Sequence, residues 1–157
     1  MKCLLIQPNY DTHVITPPIN IGYLASYLKK NGHDSFIYDG TLHNADYDQY
    51  FRIVKEYDPD LIGISVMCRG HNRVKGMVNF FKEKFDIPVV VGGPQVSANP
   101  SFILEDMKVD FAVFGEGEIT LSELASSLEN ETIKIKDIKG VAYRKNEVIK
   151  FNPKREL

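Results

Sequence analysis

Gly92-Gly93-Pro94 ends an apolar run from Ile87 to Val91. Glycine carries no Cβ, so a ligand or another backbone can come close at this point. The same pair also suits a tight strand-to-helix turn that needs positive φ. Ser65 is a second candidate, because it interrupts the apolar stretch Leu61-Ile62-Gly63-Ile64-Ser65-Val66. A hydroxyl buried there needs a partner, either a ligand group or a neighbouring backbone carbonyl. Gly115-Glu116-Gly117-Glu118 sets two carboxylates at a helix start, where they complement the positive helix end and argue against phosphate binding. Glu118 reads as a capping residue, and Glu116, between two glycines, as the better contact for a polar ligand. Asp11-Thr12-His13 offers a histidine that can ligate a metal with an aspartate to orient it, although a lone loop histidine is more often simply solvated. His33, His43 and His71 lack metal-ligand spacing.

Composition narrows what these residues serve. A chain of 157 residues suits one domain, burying roughly 70% of its unfolded surface. Hydrophobic content of 43% and charged content of 25% are ordinary for a globular protein. A formal net charge of −2 gives no electrostatic case for nucleic acid or an anionic membrane. No apolar run approaches the ~18 residues of a membrane span, and the opening run is too short for a signal-peptide core. Cys3 and Cys68 make neither a disulfide framework nor a zinc site. The expectation is a cytoplasmic protein with reduced thiols.

The elements that must position these residues alternate. Cys3–Ile6, Ser35–Tyr38, Leu61–Val66, Ile87–Val91 and Phe111–Phe114 read as buried strands. Ile19–Lys30, Asp46–Tyr57, Gly70–Phe85, Pro100–Met107 and Thr120–Leu128 read as helices. Connections of this length require parallel pairing through right-handed crossovers. The expected fold is α/β: a flavodoxin-like or Rossmann-like, doubly wound, five-stranded parallel sheet of order 2-1-3-4-5. Gly140–Arg144 and Val148–Phe151 flank a polar turn and predict a C-terminal β-hairpin. The expected divisions are an α/β domain over residues 1–135, the hairpin over 136–151, and the start of a linker over 152–157.

In this architecture four loops meet at one edge of the sheet: Gln7–Pro18, Met67–Gly70, Gly92–Asn99 and Gly115–Glu118. No G-x-G-x-x-G follows the first strand, no G-x-x-x-x-G-K-[ST] occurs, and no nucleophile elbow is present. A response regulator would need an acidic cluster after the first strand and an aspartate ending the third. Gln7-Pro8-Asn9 and Ser65 stand there instead.

With the loops placed, three stretches in order, P-P-I-N-I-G-Y-L-A-S-Y-L-K-K-N-G-H (Pro17–His33), V-V-V-G-G-P-Q-V-S-A-N-P (Val89–Pro100) and V-D-F-A-V-F-G-E-G-E (Val109–Glu118), carry a resemblance. Together with the hairpin Ile138–Ile149 they resemble the N-terminal cobalamin-binding domain of cobalamin-dependent radical S-adenosylmethionine (SAM) enzymes. That group includes methyltransferases and anaerobic magnesium-protoporphyrin ester cyclases. Ser65-x-Met67, with Gly92-Gly93 following 27 positions after Ser65, resembles the S-x-L…G-G spacing of cobalamin domains generally.

The resemblance implies that Ser65, Gly92 and Gly93 hold the nucleotide tail of cobalamin. It implies that Met67, Pro94, Gln95, Val96, Gly115, Glu116 and Gly117 border the corrin. The D-x-H-x-x-G ligand motif is incomplete, since Thr16 stands where glycine belongs. The expectation is therefore cobalt without a protein imidazole, with Tyr10 or another first-loop residue on its lower side and His13 a minor alternative. No C-x-x-x-C-x-x-C is present, so the iron–sulfur cluster and SAM are expected in a neighbouring radical SAM domain. The implied function is a cobalamin-binding module serving methyl transfer by that domain; the alternative is a scaffold that has lost its cofactor and serves docking or substrate recognition. A flavin or nucleotide binder is disfavoured by the missing phosphate loop.

Overall fold

A computed structural model describes residues 1–157 except His13, Glu147 and Leu157. The strands are β1 (Lys2–Gln7), β2 (Asp34–Asp39), β3 (Leu61–Ser65), β4 (Val89–Gly92), β5 (Phe111–Val113), β6 (Val141–Lys145) and β7 (Val148–Phe151). The helices are α1 (Ile19–Lys30), α2 (Tyr47–Tyr57), α3 (His71–Lys84), α4 (Pro94–Ala98), α5 (Pro100–Asp106) and α6 (Glu118–Asn130). The strands form one sheet of order β2-β1-β3-β4-β5-β6-β7. Its first five members are parallel, as the connection lengths require, and stand in the flavodoxin-like order expected. The hairpin β6–β7 continues the sheet antiparallel beyond β5, with Ala112 opposite Ala142.

Local chemistry sets the helix ends. At α2, Gln49 N–H donates to the Asp46 carboxylate and Asp46 N–H donates back to Gln49 Oε1, each at 2.9 Å. Lys29 and Lys30 close α1 at its negative end. The pattern along the sequence does not reveal α4. It is five residues long, too short for a periodic stripe, and Pro94 occupies its first turn, where the missing N–H costs nothing.

Strand alternation divides the core in two. Leu4, Ile6, Ile62, Ile64, Val89 and Val91 face α2, α3 and α5. Cys3, Leu5, Leu61, Val90, Phe111 and Val113 face α1 and α6. Fully burying one such aliphatic side chain stabilises the fold by about 1.5–3 kcal/mol. No helix among the described residues is long and apolar enough to cross a membrane.

Candidate functional site

The site follows from what β3 and β4 place on the α1/α6 face. Gly63 and Ser65 are two residues apart on β3 and therefore share a face. Gly63 stands between Leu5 on β1 and Val90 on β4, and Ser65 stands opposite Gly92. A side chain is thus missing at Gly63 in the middle of β3 and at Gly92 at the end of β4, with the Ser65 hydroxyl beside them. The resulting cavity measures about 180 Å³. Its walls are Leu5, Val90 and Val113 from the sheet, Ile21 and Leu24 from α1, and Leu121 from α6; Gly115, Glu116, Gly117 and Glu118 border its mouth.

Two observations test whether this cavity is built for a ligand. Ser65 is 8% exposed, and its Oγ has no hydrogen-bond partner among the described residues. The backbone carbonyl that sequence reasoning left open as a partner is not used. A buried hydroxyl without a partner costs roughly 1–3 kcal/mol, so the fold carries a penalty that a bound acceptor would remove. The glycines supply the second observation. Gly93 has φ +110° and ψ −176°, a region open essentially to glycine alone. A Cβ there would lie 3.0 Å from the Val66 carbonyl and 3.4 Å from Ser65 Oγ. A Cβ on Gly63 would meet Leu5 Cδ2 at 2.8 Å, and one on Gly117 would meet Leu24 Cδ2 at 3.1 Å.

Ser65, Gly92, Gly93, Gly115, Glu116 and Gly117, all singled out from sequence, line this one cavity. Tyr10, Met67, Pro94, Gln95 and Val96 do not line it. Tyr10 clips the first loop to the end of β3: its hydroxyl donates to the Ser65 carbonyl at 2.7 Å and accepts from Met67 N–H at 3.2 Å. Burial pushes the Tyr10 phenol up to about 12, so it stands as a neutral phenol occupied by two bonds. The ring fills the space beside Gly70, where a Cβ would collide with it. Met67 is exposed beside a second hollow of about 180 Å³ that Tyr10, Asp39, Thr41 and Arg69 also line. Val96 is wholly buried in the α2/α3/α5 core.

Gln95 turns to the same side as Val96. Its Nε2 donates to His71 Nδ1 at 2.9 Å, while His71 Nε2 meets Asp106 Oδ2 at 2.7 Å. Lys75 and His71, in that order, hold the Asp106 carboxyl below its ordinary range. The chain Gln95–His71–Asp106 therefore ties the turn after β4 to α3 and α5. Ser97 Oγ accepts from Gly115 N–H at 3.0 Å and joins that turn to the loop after β5.

His13, the minor candidate for a cobalt ligand, lies outside the described residues. Among the described residues, no three His, Cys, Asp or Glu side chains gather as a metal site. Sequence reasoning missed Gly63, Asn20, Ile21, Leu24 and Leu121 as lining residues. Gly63 was findable: it precedes Ser65 by two positions and so must share its face.

The family model of the B12 binding domain matches residues 8–125. An uncharacterised methyltransferase of Pyrococcus horikoshii is 32% identical across the whole chain, which spans 36% of that relative's length. An anaerobic magnesium-protoporphyrin IX monomethyl ester cyclase of Rubrivivax gelatinosus is 28% identical over 82% of the chain, which spans 25% of the cyclase. Among solved structures, the radical S-adenosylmethionine methyltransferase TsrM of Kitasatospora setae, with cobalamin and a 4Fe–4S cluster bound, superposes with a TM-score of 0.88. It shares 23% identity over 99% of the chain, which spans 29% of TsrM. The chain thus covers about a third or less of these relatives. On the family match, the chain belongs to the B12-binding domain family.

Proposed function

We propose that this chain holds cobalamin for a neighbouring radical SAM domain that carries SAM and an iron–sulfur cluster. The observation that carries the reading is the unpartnered Ser65 hydroxyl inside a glycine-lined cavity at the ends of parallel strands. Open α/β sheets bind ligands at that edge. Cobalamin, when bound, supplies a methyl group to a substrate held by the neighbouring domain.

The chain's own residues do the holding. Ser65 donates its proton to a ring nitrogen of the nucleotide tail. Gly63, Gly92, Gly93 and Gly117 leave room for the tail between β3–β5 and the α1/α6 pair. The exposed rim at Met67, Pro94 and Glu116 borders the corrin. Residues 1–135 form the binding unit, 136–151 the hairpin extension, and 152–157 the beginning of the connection onward.

Titration of the purified chain with hydroxocobalamin tests this. The expected result is a saturable change in the visible spectrum at one equivalent, with colour retained through gel filtration. An unchanged spectrum, with all the vitamin eluting as free small molecule, would overturn the reading and favour a scaffold without cofactor.

A further inference from the structure

The mouth of the cavity carries negative charge. Glu116 and Glu118 border it, and no Lys, Arg or His is among the described residues that line the cavity. The helix α6 starts at this mouth without a side-chain cap, so the N–H groups of its first turn lack that partner. Further in lies the buried, unpartnered Ser65 hydroxyl. The polar fittings of the cavity thus suit a ligand, while the two carboxylates oppose an anionic one.

A cation reaches this mouth from the segment after β7. A Cβ on Gly115, which lines the cavity, would meet Lys154 Cε at 3.9 Å. Lys154 is exposed and belongs to no ion pair among the described residues. Its neighbours on both sides are nonetheless fixed. The Pro153 carbonyl accepts from Gly140 N–H at 2.8 Å. Arg155 pairs with Glu123, and its Nε donates to Thr120 Oγ1 at 3.1 Å, so that guanidinium is spent on α6. The stem of Lys154 therefore lies along the loop after β5, and its ammonium stays in water.

Resting on the reading above, we propose that Lys154 pairs with the anionic phosphodiester in the nucleotide tail of cobalamin. That group joins the corrin side to the base and is negative at neutral pH. A tail that enters past Glu116 and Glu118 brings a like charge to two carboxylates. The Lys154 ammonium offsets this repulsion, and the start of α6 adds its partial positive charge. The pair forms at the edge of solvent, so its contribution is modest and screened by salt. A phosphoryl group on a substrate offers the same chemistry; titrations without substrate separate the two sources.

The test measures dissociation constants of the intact chain by visible titration, without substrate, for three corrinoids. These are cobalamin, cobinamide phosphate, which keeps the phosphate and lacks the base, and cobinamide, which lacks both. At low salt, Lys154→Ala is expected to weaken cobalamin and cobinamide phosphate roughly 2- to 5-fold, and Lys154→Glu to weaken them further. Lys154→Arg should bind like wild type. Cobinamide affinity and the melting temperature should not change in any of the three variants. The loss should shrink at about 1 M salt, where the screening length is roughly 3 Å. Cobalamin affinity in Lys154→Glu equal to that of wild type would overturn the pairing while leaving cobalamin binding intact. Equal weakening of cobinamide would trace the effect to the corrin or the fold and overturn it as well. If wild type binds no corrinoid, the proposed function itself falls, and the pairing with it.

Discussion

Ser65 and Gly92 are register partners on the adjacent parallel strands β3 and β4. The pairing sets a hydroxyl directly beside a position with no side chain, on the face covered by α1 and α6. A Cβ at 92 would touch only Val113, so the position leaves open the cavity that Ser65 also lines. The 27-residue spacing visible in the sequence is thus a lateral contact one strand spacing wide. The neighbouring positions extend this opening: Gly63 lies one pleat deeper and Gly93 one residue further along the chain.

The two adjacent glycines are predicted to separate folding from binding. A Cβ on Gly92 would meet nothing closer than the Val113 carbonyl at 3.6 Å, an ordinary contact. Gly92→Ala should melt within about 2 °C of wild type and bind cobalamin roughly tenfold more weakly, because its methyl fills the cavity. Gly93→Ala forces alanine into a backbone region costing about 1–3 kcal/mol, which should lower the melting temperature by roughly 3–10 °C. Thermal melts paired with visible titrations check both; equal melting temperatures for the two variants would contradict the assignment.

Tyr10→Phe removes a hydroxyl that bridges the Ser65 carbonyl and Met67 N–H. It should cost about 1–2 kcal/mol. The effect depends on pH. Burial raises the Tyr10 phenol to about 12 in the folded state, against about 10 in the unfolded chain. A raised folded pKa gives stability that is complete below the unfolded value and lost as pH rises through the folded one. Wild type should therefore lose stability above about pH 10, and Tyr10→Phe should lose less, with Tyr50 retaining part of the trend. Urea midpoints at about pH 8 and about pH 11 check this; identical alkaline losses in both proteins would contradict it.

Asp106 accepts from both Lys75 and His71, each at 2.7 Å, and its carboxyl is held low by them. A depressed folded pKa gives stability that is present above the unfolded value of about 3.9 and lost as pH falls through the folded one. Asp106→Asn should therefore be less stable than wild type near pH 6, with the gap closing towards about pH 3. Denaturant midpoints across that range measure it; a constant gap would contradict an electrostatic origin.

The segment after β7 is strapped down rather than free. Asn152 donates to the Ile135 and Ile138 carbonyls at 2.6 and 2.7 Å, and Arg155 pairs with Glu123 and donates to Thr120 Oγ1. Asn152→Ala leaves two carbonyls without this donor and should cost about 1–3 kcal/mol, visible as a melting temperature lower by roughly 3–10 °C. Cobalamin affinity should stay near that of wild type. A variant that melts like wild type would contradict the strap.

Much of this fold was legible because single-segment signals determine it. The period of Ile21, Leu24, Ala25 and Leu28, with Asn31-Gly32 after them, gave α1 its observed bounds. Parallel pairing followed from connection lengths and the order 2-1-3-4-5 from the flavodoxin-like form of the doubly wound fold, topological constraints that need no side-chain detail. At the site, Ser65 and Gly92-Gly93 stood out because each breaks an apolar run. Gln95 and Val96 sit in the same loop as Pro94, but α4 rotates their side chains to the far face, and a five-residue helix leaves too little pattern to reveal that rotation. Leu24 and Leu121 were read as helix core positions. That they face each other across a gap depends on α1 and α6 lying side by side, which is a tertiary fact.

A structure of the cobalamin-loaded chain tests the central claim most directly. The account predicts the lower base inside the cavity between β3–β5 and the α1/α6 pair, with a ring nitrogen about 2.7–3.2 Å from Ser65 Oγ. A base coordinated to cobalt or lying in solvent, with Ser65 Oγ still unpartnered, would contradict it.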